Sequence, residues 1–154
     1  MQQGDKVIAE AATIEEILRA GTTCQLAFST VPVPYIVTLN YGYHDGALYF
    51  HGASEGHKID LIRKHGQAAF TVVLDHGVIT GENACDWSVR FQSVVGFGDV
   101  ILFESAEEKQ QGLDRLMAHY SNETFSYPDK MVQATAVFKL VVTGITVKQS
   151  DMDI

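Results

Sequence analysis

The chain has 154 residues, room for one hydrophobic core and so for a single domain over residues 1–154. Apolar residues make up 46% of it, the share of a globular protein, and no run approaches the ~20 apolar residues of a bilayer span. The net charge of −8 repels a phosphate backbone, so neither a membrane nor a nucleic acid is expected as a partner.

The start, MQQGDKVIAEAATIEEIL, is polar and acidic where a secretory signal is cationic and apolar, which implies a cytoplasmic protein. Thr13 and Glu16 read as a capping box, and Ile14, Ile17 and Leu18 form the apolar stripe of a helix ending at Ala20. Residues 24–30 read as a strand, broken by Val31-Pro32-Val33-Pro34 before a second strand over Tyr35–Tyr43. In that strand Tyr35, Val37, Leu39, Tyr41 and Tyr43 share one face, and Ile36, Thr38, Asn40 and Gly42 the other. His44-Asp45-Gly46 turns the chain into a hairpin partner, Ala47–His51. A second helix is expected over Ser54–Lys64, with Ile59, Leu61 and Ile62 inward and Gly66 past its end. Strands recur at 68–74, 78–80 and 89–103, the last carrying Gly96 and Gly98 as a bulge or bend. Ser105 and Glu108 open a third helix, and the last strand is Val137–Val147.

Hairpins outnumber parallel crossovers in this order, which predicts a mainly β (α+β) fold: a six-stranded antiparallel β-barrel with flanking helices. A barrel of that size is filled by its own side chains, so a ligand binds outside it, at an edge or a subunit interface. Cys24 and Cys85 show no CxxC spacing and read as reduced, partly buried thiols, with no metal site. The marks of dinucleotide folds, Walker-type loops, serine hydrolases and HExxH zinc proteases are missing.

The segment YIVTLNYGYHDGALYFHGASEGHKIDLIRKHG, residues 35–66, carries most of the chemistry. Thr38 and Asn40 share a strand face, His51 ends the neighbouring strand, and Gly52, Ala53 and Gly56 allow a ligand close to the backbone. A helix N-terminus with Lys58 in its first turn follows at once, which suits a phosphate. A solvated helix face carrying His57 and Lys58 accounts for the charge pattern equally well.

PYIVTLNYGY, LYFHGASEGHKIDLIRKH and the later QSVVGFGDVILFESAEEK resemble the nitroimidazole-resistance (Nim-type) branch of the pyridoxamine 5'-phosphate oxidase-like, FMN-binding split barrels, over roughly residues 13–147. The resemblance implies a homodimer of six-stranded split barrels with FMN at the subunit interface. It places the strand Tyr35–Asn40 along the flavin ring, with Val37 and Thr38 at its polar edge, Phe50 and His51 on the next ligand strand, and His57 and Lys58 at the phosphate. Ser54 is placed to join that pair and Ser93 to reach the flavin from the long strand.

The oxidases of this family begin the ligand strand with arginine and end it with lysine, where this chain has Tyr35 and Asn40, and His57 stands for an arginine of their phosphate pair. The chain also ends in KQSDMDI, without their substrate-binding tail. Vitamin B6 chemistry is therefore not expected. The resemblance implies instead an FMN-dependent oxidoreductase reducing a small aromatic or nitro-heteroaromatic compound, with His51 able to donate a proton. The alternatives are a flavin-binding protein without turnover that stores FMN or senses redox state, a split barrel holding haem through His51, and, for His51 itself, a hydrogen-bonded strand end. Trp87 and Arg90 read either as lining the open side of the flavin or crossing the dimer interface, or as packing against the partner barrel, and the segment Tyr120–Tyr127 with Pro128 reads either as a lid or as a loop under the barrel.

Overall fold

The computed structural model describes residues 5–8, as backbone, and residues 10–152; the N-terminal reading falls in part on residues 1–4 and 9, outside the described residues. The elements are β1 (Asp5–Ile8), α1 (Ala11–Ala20), β2 (Thr23–Phe28), β3 (Tyr35–Asn40), β4 (Gly42–His44), β5 (Ala47–Ala53), α2 (His57–His65), β6 (Gln67–Ile79), β7 (Ser88–Leu102), α3 (Ala106–Ala118), α4 (Asp129–Ala134) and β8 (Thr135–Ser150). A 3-10 turn at Ala84–Asp86 precedes β7.

Every ladder is antiparallel, and the hydrogen-bonded path runs β3-β2-β6-β7-β8-β5-β4, with β1 paired to the end of β8. The path begins and ends on one stretch of chain, since only Tyr41 separates β3 from β4. Covalent continuity, not a ladder, therefore joins the two edges of the curled sheet, which is what makes the barrel split.

The expected count of six strands becomes eight. The run Tyr35–Tyr43 breaks at Tyr41, and β1 adds a short strand beside Ser150–Val147. The two pieces expected at 68–74 and 78–80 are instead one strand, β6, whose register against β7 slips between Asp75 and Val78. The bend expected at Gly96 and Gly98 is present as a register shift between Phe97 and Gly98. A side chain at position 98 would drive into the Val141 carbonyl, so only glycine lets β7 and β8 approach there.

Helix starts differ from the sequence reading. α1 begins at Ala11 with Glu10 as an N-cap that makes no side-chain bond, so Thr13 lies inside the helix. α2 begins at His57, because Ser54–Gly56 form a bend and Gly56 has φ 128°. Ser105 caps α3 as expected, accepting from the Glu108 N–H at 3.1 Å. Cys24 is buried with its thiol pKa pushed up to about 12 by burial, whereas Cys85 is exposed on the 3-10 turn. Both are free thiols, as expected, but one is fully buried and the other exposed where both were read as partly buried.

Leu26, Phe28, Leu48, Phe50, Phe70, Val72, Val94, Phe138 and Leu140 fill the interior, with the Phe50 and Phe138 rings stacked at 5.2 Å. Outside the sheet, α3 lays Leu113 and Leu116 on Val137, flanked by Tyr49, Phe103 and Tyr127. No helix of the described residues is long and apolar enough to cross a membrane.

The break at Tyr41 is held by two neighbours at the end of α3. The Tyr120 hydroxyl accepts the Tyr41 N–H at 3.0 Å and gives its single proton to the Tyr41 carbonyl at 2.6 Å, with the Thr22 carbonyl at 2.9 Å as the alternative acceptor. His119 accepts the Tyr43 N–H on Nδ1 at 3.1 Å and donates from Nε2 to the Gly21 carbonyl at 2.6 Å, which fixes its tautomer. The segment from Tyr120 thus begins as a structural clamp. Tyr120→Phe should lower stability by about 1 to 2 kcal/mol, because the Tyr41 N–H loses its acceptor. Urea unfolding checks this, and an unshifted midpoint would show that the hydroxyl does not hold the break.

Candidate functional site

The alternation read from the sequence is present in β3: Tyr35, Val37 and Leu39 turn inward and half-buried, while Ile36, Thr38 and Asn40 are exposed. The end of β5, the bend after it and the start of α2 then meet the start of β3. Tyr35 makes an edge-on contact with the His57 ring at 4.8 Å. His51 is exposed at the end of β5, next to Gly52. The Lys58 ammonium lies over Gly52, where a Cβ built on residue 52 would be 2.6 Å from Nζ.

α2 starts without a side-chain cap, so no capping side chain takes its first N–H groups beside Lys58. Lys58 is half-buried, and among the described residues it has no ion pair or hydrogen bond. Burial pulls its pKa below the ordinary value. His51 is also lowered, first by burial and second by the Lys58 charge. The arrangement is a cationic, donor-rich corner without a counter-ion, chemically suited to an anion with several oxygens.

The remaining expected residues are distributed differently. Thr38 lies three residues beyond Tyr35 and accepts from the Gln25 amide at 3.5 Å, and Asn40 is at the far end of β3, beside the Tyr120 hydroxyl. At ~3.4 Å per residue, Tyr35 and Asn40 are ~17 Å apart, so a ligand touching both is elongated and lies along the strand. The Phe50 side chain is fully buried in the core, which leaves only its backbone for a ligand. Ser54 lines a small recess of about 60 Å³ with Arg63, Glu104 and Lys109. Ser93 is buried on β7, on the same outer parity as Val95 and Phe97 but three strands away from β3.

Across β3, β2, β6 and β7 two outward rows are in register: Ile36, Ala27, Ala69 and Phe97, then Thr38, Gln25, Thr71 and Val95. Ile36, Val73, Val95 and Phe97 are each more than half exposed. A largely apolar recess of about 360 Å³, lined by Ala27, Phe28, Ala69 and Phe97, adjoins them. The sequence alternation separated the two faces of β3 but gave no reason to expect so much uncovered apolar surface. A roomier cleft of about 750 Å³ under α3, lined by Tyr49, Phe103, Arg115 and Lys139, contains none of the expected residues. Among the described residues no group of three or more His, Cys, Asp or Glu side chains is placed to hold a metal ion.

Trp87 donates from its indole to the Gly81 carbonyl at 2.9 Å, and Arg90 donates to the Asp151 carbonyl at 3.1 Å. Within one chain both are therefore occupied in local structure. Gly52 was noticed in the sequence only as a small residue; its relation to Lys58 needs the turn at 54–56 to be seen.

A family model described as pyridoxamine 5'-phosphate oxidase matches residues 10–149. The chain belongs to that family. Among solved structures it is similar to a candidate 5-nitroimidazole antibiotic resistance protein of Bacteroides thetaiotaomicron VPI-5482, at 33% identity and a TM-score of 0.82, over 96% of this chain and 89% of that one. A flavocytochrome of Azotobacter vinelandii shares the fold at 21% identity and a TM-score of 0.82, over 93% of this chain and 68% of the other. So does a FAD- and haem-binding protein of Mycobacterium smegmatis, at 19% identity and a TM-score of 0.85, over 95% and 74%. No curated protein matches the chain. The resemblance read from residues 13–147 thus agrees with the family and with the nitroimidazole-resistance relative.

In this member of the pyridoxamine 5'-phosphate oxidase family, the pKa shift of His51 gives a direct check on the corner. Its ring should take up a proton below the ordinary value near 6.5. Since the unfolded ring binds that proton more readily, His51 subtracts stability as pH falls through this window and has no effect above it. In an NMR titration, Lys58→Met should raise the His51 midpoint part of the way, burial being the larger cause. An unmoved midpoint would separate the two side chains.

Proposed function

We propose that the chain is a homodimeric FMN-binding oxidoreductase that reduces a small nitro-heteroaromatic or related aromatic compound. The observation that carries this reading is the half-buried Lys58 ammonium, without a counter-ion among the described residues, at the uncapped N-terminus of α2. A phosphate monoester fits that corner: the N–H groups at the start of α2 and Lys58 meet its oxygens, with His57 and Ser54 at the rim. The exposed face of β3, with Thr38 and Asn40, would hold the flavin ring. When bound, FMN supplies hydride or single-electron chemistry.

The chain's own residues orient and protonate. Thr38 and Asn40 present a hydroxyl and an amide on the ring side of β3, and the exposed His51 imidazole is the proton donor to a reduced substrate. A phosphate paired with Lys58 offsets one of the two causes that lower the His51 pKa, so cofactor loading makes that proton easier to hold. The supporting relatives are the 33%-identical resistance protein and, at the level of fold, the flavin proteins.

The exposed apolar rows on β3, β2, β6 and β7 support the dimer, since a surface with Ile36, Val95 and Phe97 uncovered is the kind a second subunit covers. Phe97→Asp should convert a dimer into a monomer in sedimentation velocity, with the fold unchanged by circular dichroism. A wild-type chain that sediments as a monomer would remove the dimer.

The purified protein should be yellow or take up FMN. Lys58→Ala should weaken FMN by about 1 to 3 kcal/mol, the size of a lost charge-assisted hydrogen bond. After anaerobic reduction, a nitroimidazole should reoxidise the bound flavin; a reduced flavin indifferent to nitro compounds leaves a flavin carrier or sensor. A Soret band, or a colourless protein that ignores FMN, overturns the reading.

A further inference from the structure

We infer that Gly52 is a positioning residue: the seat left by its missing side chain holds the Lys58 ammonium at the α2 end, and makes that end select a phosphorylated over an unphosphorylated flavin. The inference rests on the FMN reading above and goes one residue beyond it.

Gly52 is paired within the ladder, opposite Ala136 of β8, and has the same inward parity as Leu48 and Phe50. Glycine in a strand interior is usually a packing loss, so its presence asks for a close neighbour. That neighbour is the Lys58 side chain. A Cβ at position 52 would lie 2.6 Å from Nζ and 3.3 Å from Cε, with no backbone atom among its close contacts. Gly52 does not have the positive φ of Gly46, Gly56, Gly66 and Gly77, so the strand accepts an alanine. The atom that must give way is the free end of a flexible side chain. An added methyl therefore leaves the strand intact and moves the ammonium.

The bend at Ser54–Gly56 makes this geometry. Gly56, with φ 128°, turns the chain sharply enough that the first turn of α2 comes back over the end of the strand it has just left. Lys58 reaches Gly52 across this turn, next to the uncapped start of α2. The room above Gly52 thus lets the ammonium sit next to the helix end before any ligand arrives. Preorganisation of this kind lowers the entropy lost on binding. It would bear on a phosphate oxygen and not on the ring, which the exposed face of β3 would hold.

The experiment is a flavin fluorescence titration of the full-length protein with FMN and, separately, with riboflavin. It compares wild type, Gly52→Ala, Lys58→Ala and the double variant. The wild type should prefer FMN. Gly52→Ala should lower FMN affinity about tenfold, as for a weakened charge-assisted hydrogen bond, and leave riboflavin unchanged. The double variant should bind FMN no worse than Lys58→Ala alone, because both changes remove one interaction. FMN affinity unchanged by Gly52→Ala overturns the inference. So does equal loss of both flavins, or a full additional loss in the double variant. A wild type that binds FMN no better than riboflavin instead overturns the FMN reading itself, and the inference with it.

Discussion

The fold depends on a chain that must leave one edge of a sheet and rejoin the other within a single residue. Tyr41 is that residue, and its backbone N–H and carbonyl, turned out of both ladders, would be unsatisfied without the Tyr120 hydroxyl. Its side chain is fully buried and donates to the Leu18 carbonyl at 2.6 Å, which ties the same point to α1. Gly21 completes the arrangement, because any side chain there would strike Val72 and the Tyr41 hydroxyl. The seam of the barrel is therefore held by side chains from α3 and a helix end from α1, where a closed barrel would have a ladder.

Filling the interior has a chemical corollary. With Phe28, Phe50, Phe70 and Phe138 packed in the barrel, polar work is pushed to its rim and its outer wall. The rim supplies the helix end and its lysine; the outer wall supplies the exposed faces of β3 and β7. The two surfaces meet where Tyr35 touches His57, and from there the exposed face of β3 runs away from the helix end.

Much of this was legible in the residues. The two faces of Tyr35–Asn40 alternate as written, Ser105 caps its helix, and the glycine pair at 96 and 98 marks the irregularity of β7. What escaped was long-range. Nothing local at Tyr41 announces a break, since its neighbours alternate well; the break is imposed by the clamp from Tyr120 and His119, some eighty residues on. Thr13 has the sequence of a cap but lies inside a helix already begun at Ala11. Phe50 and His51 looked alike as ligand-strand neighbours, yet one faces the core and the other solvent, as period-two alternation requires. Lys58 could be named from its place in a first turn, whereas its lack of a counter-ion could be seen only in three dimensions.

That bare ammonium also bears on endurance. Drawing a cation partly out of water without an opposite charge works against the folded state, as its lowered proton affinity records. Any oxyanion lodged at the α2 end relieves this burden for the native chain alone, because the unfolded chain has no such corner. Were phosphate to lodge there, heat resistance would rise with its concentration in the buffer.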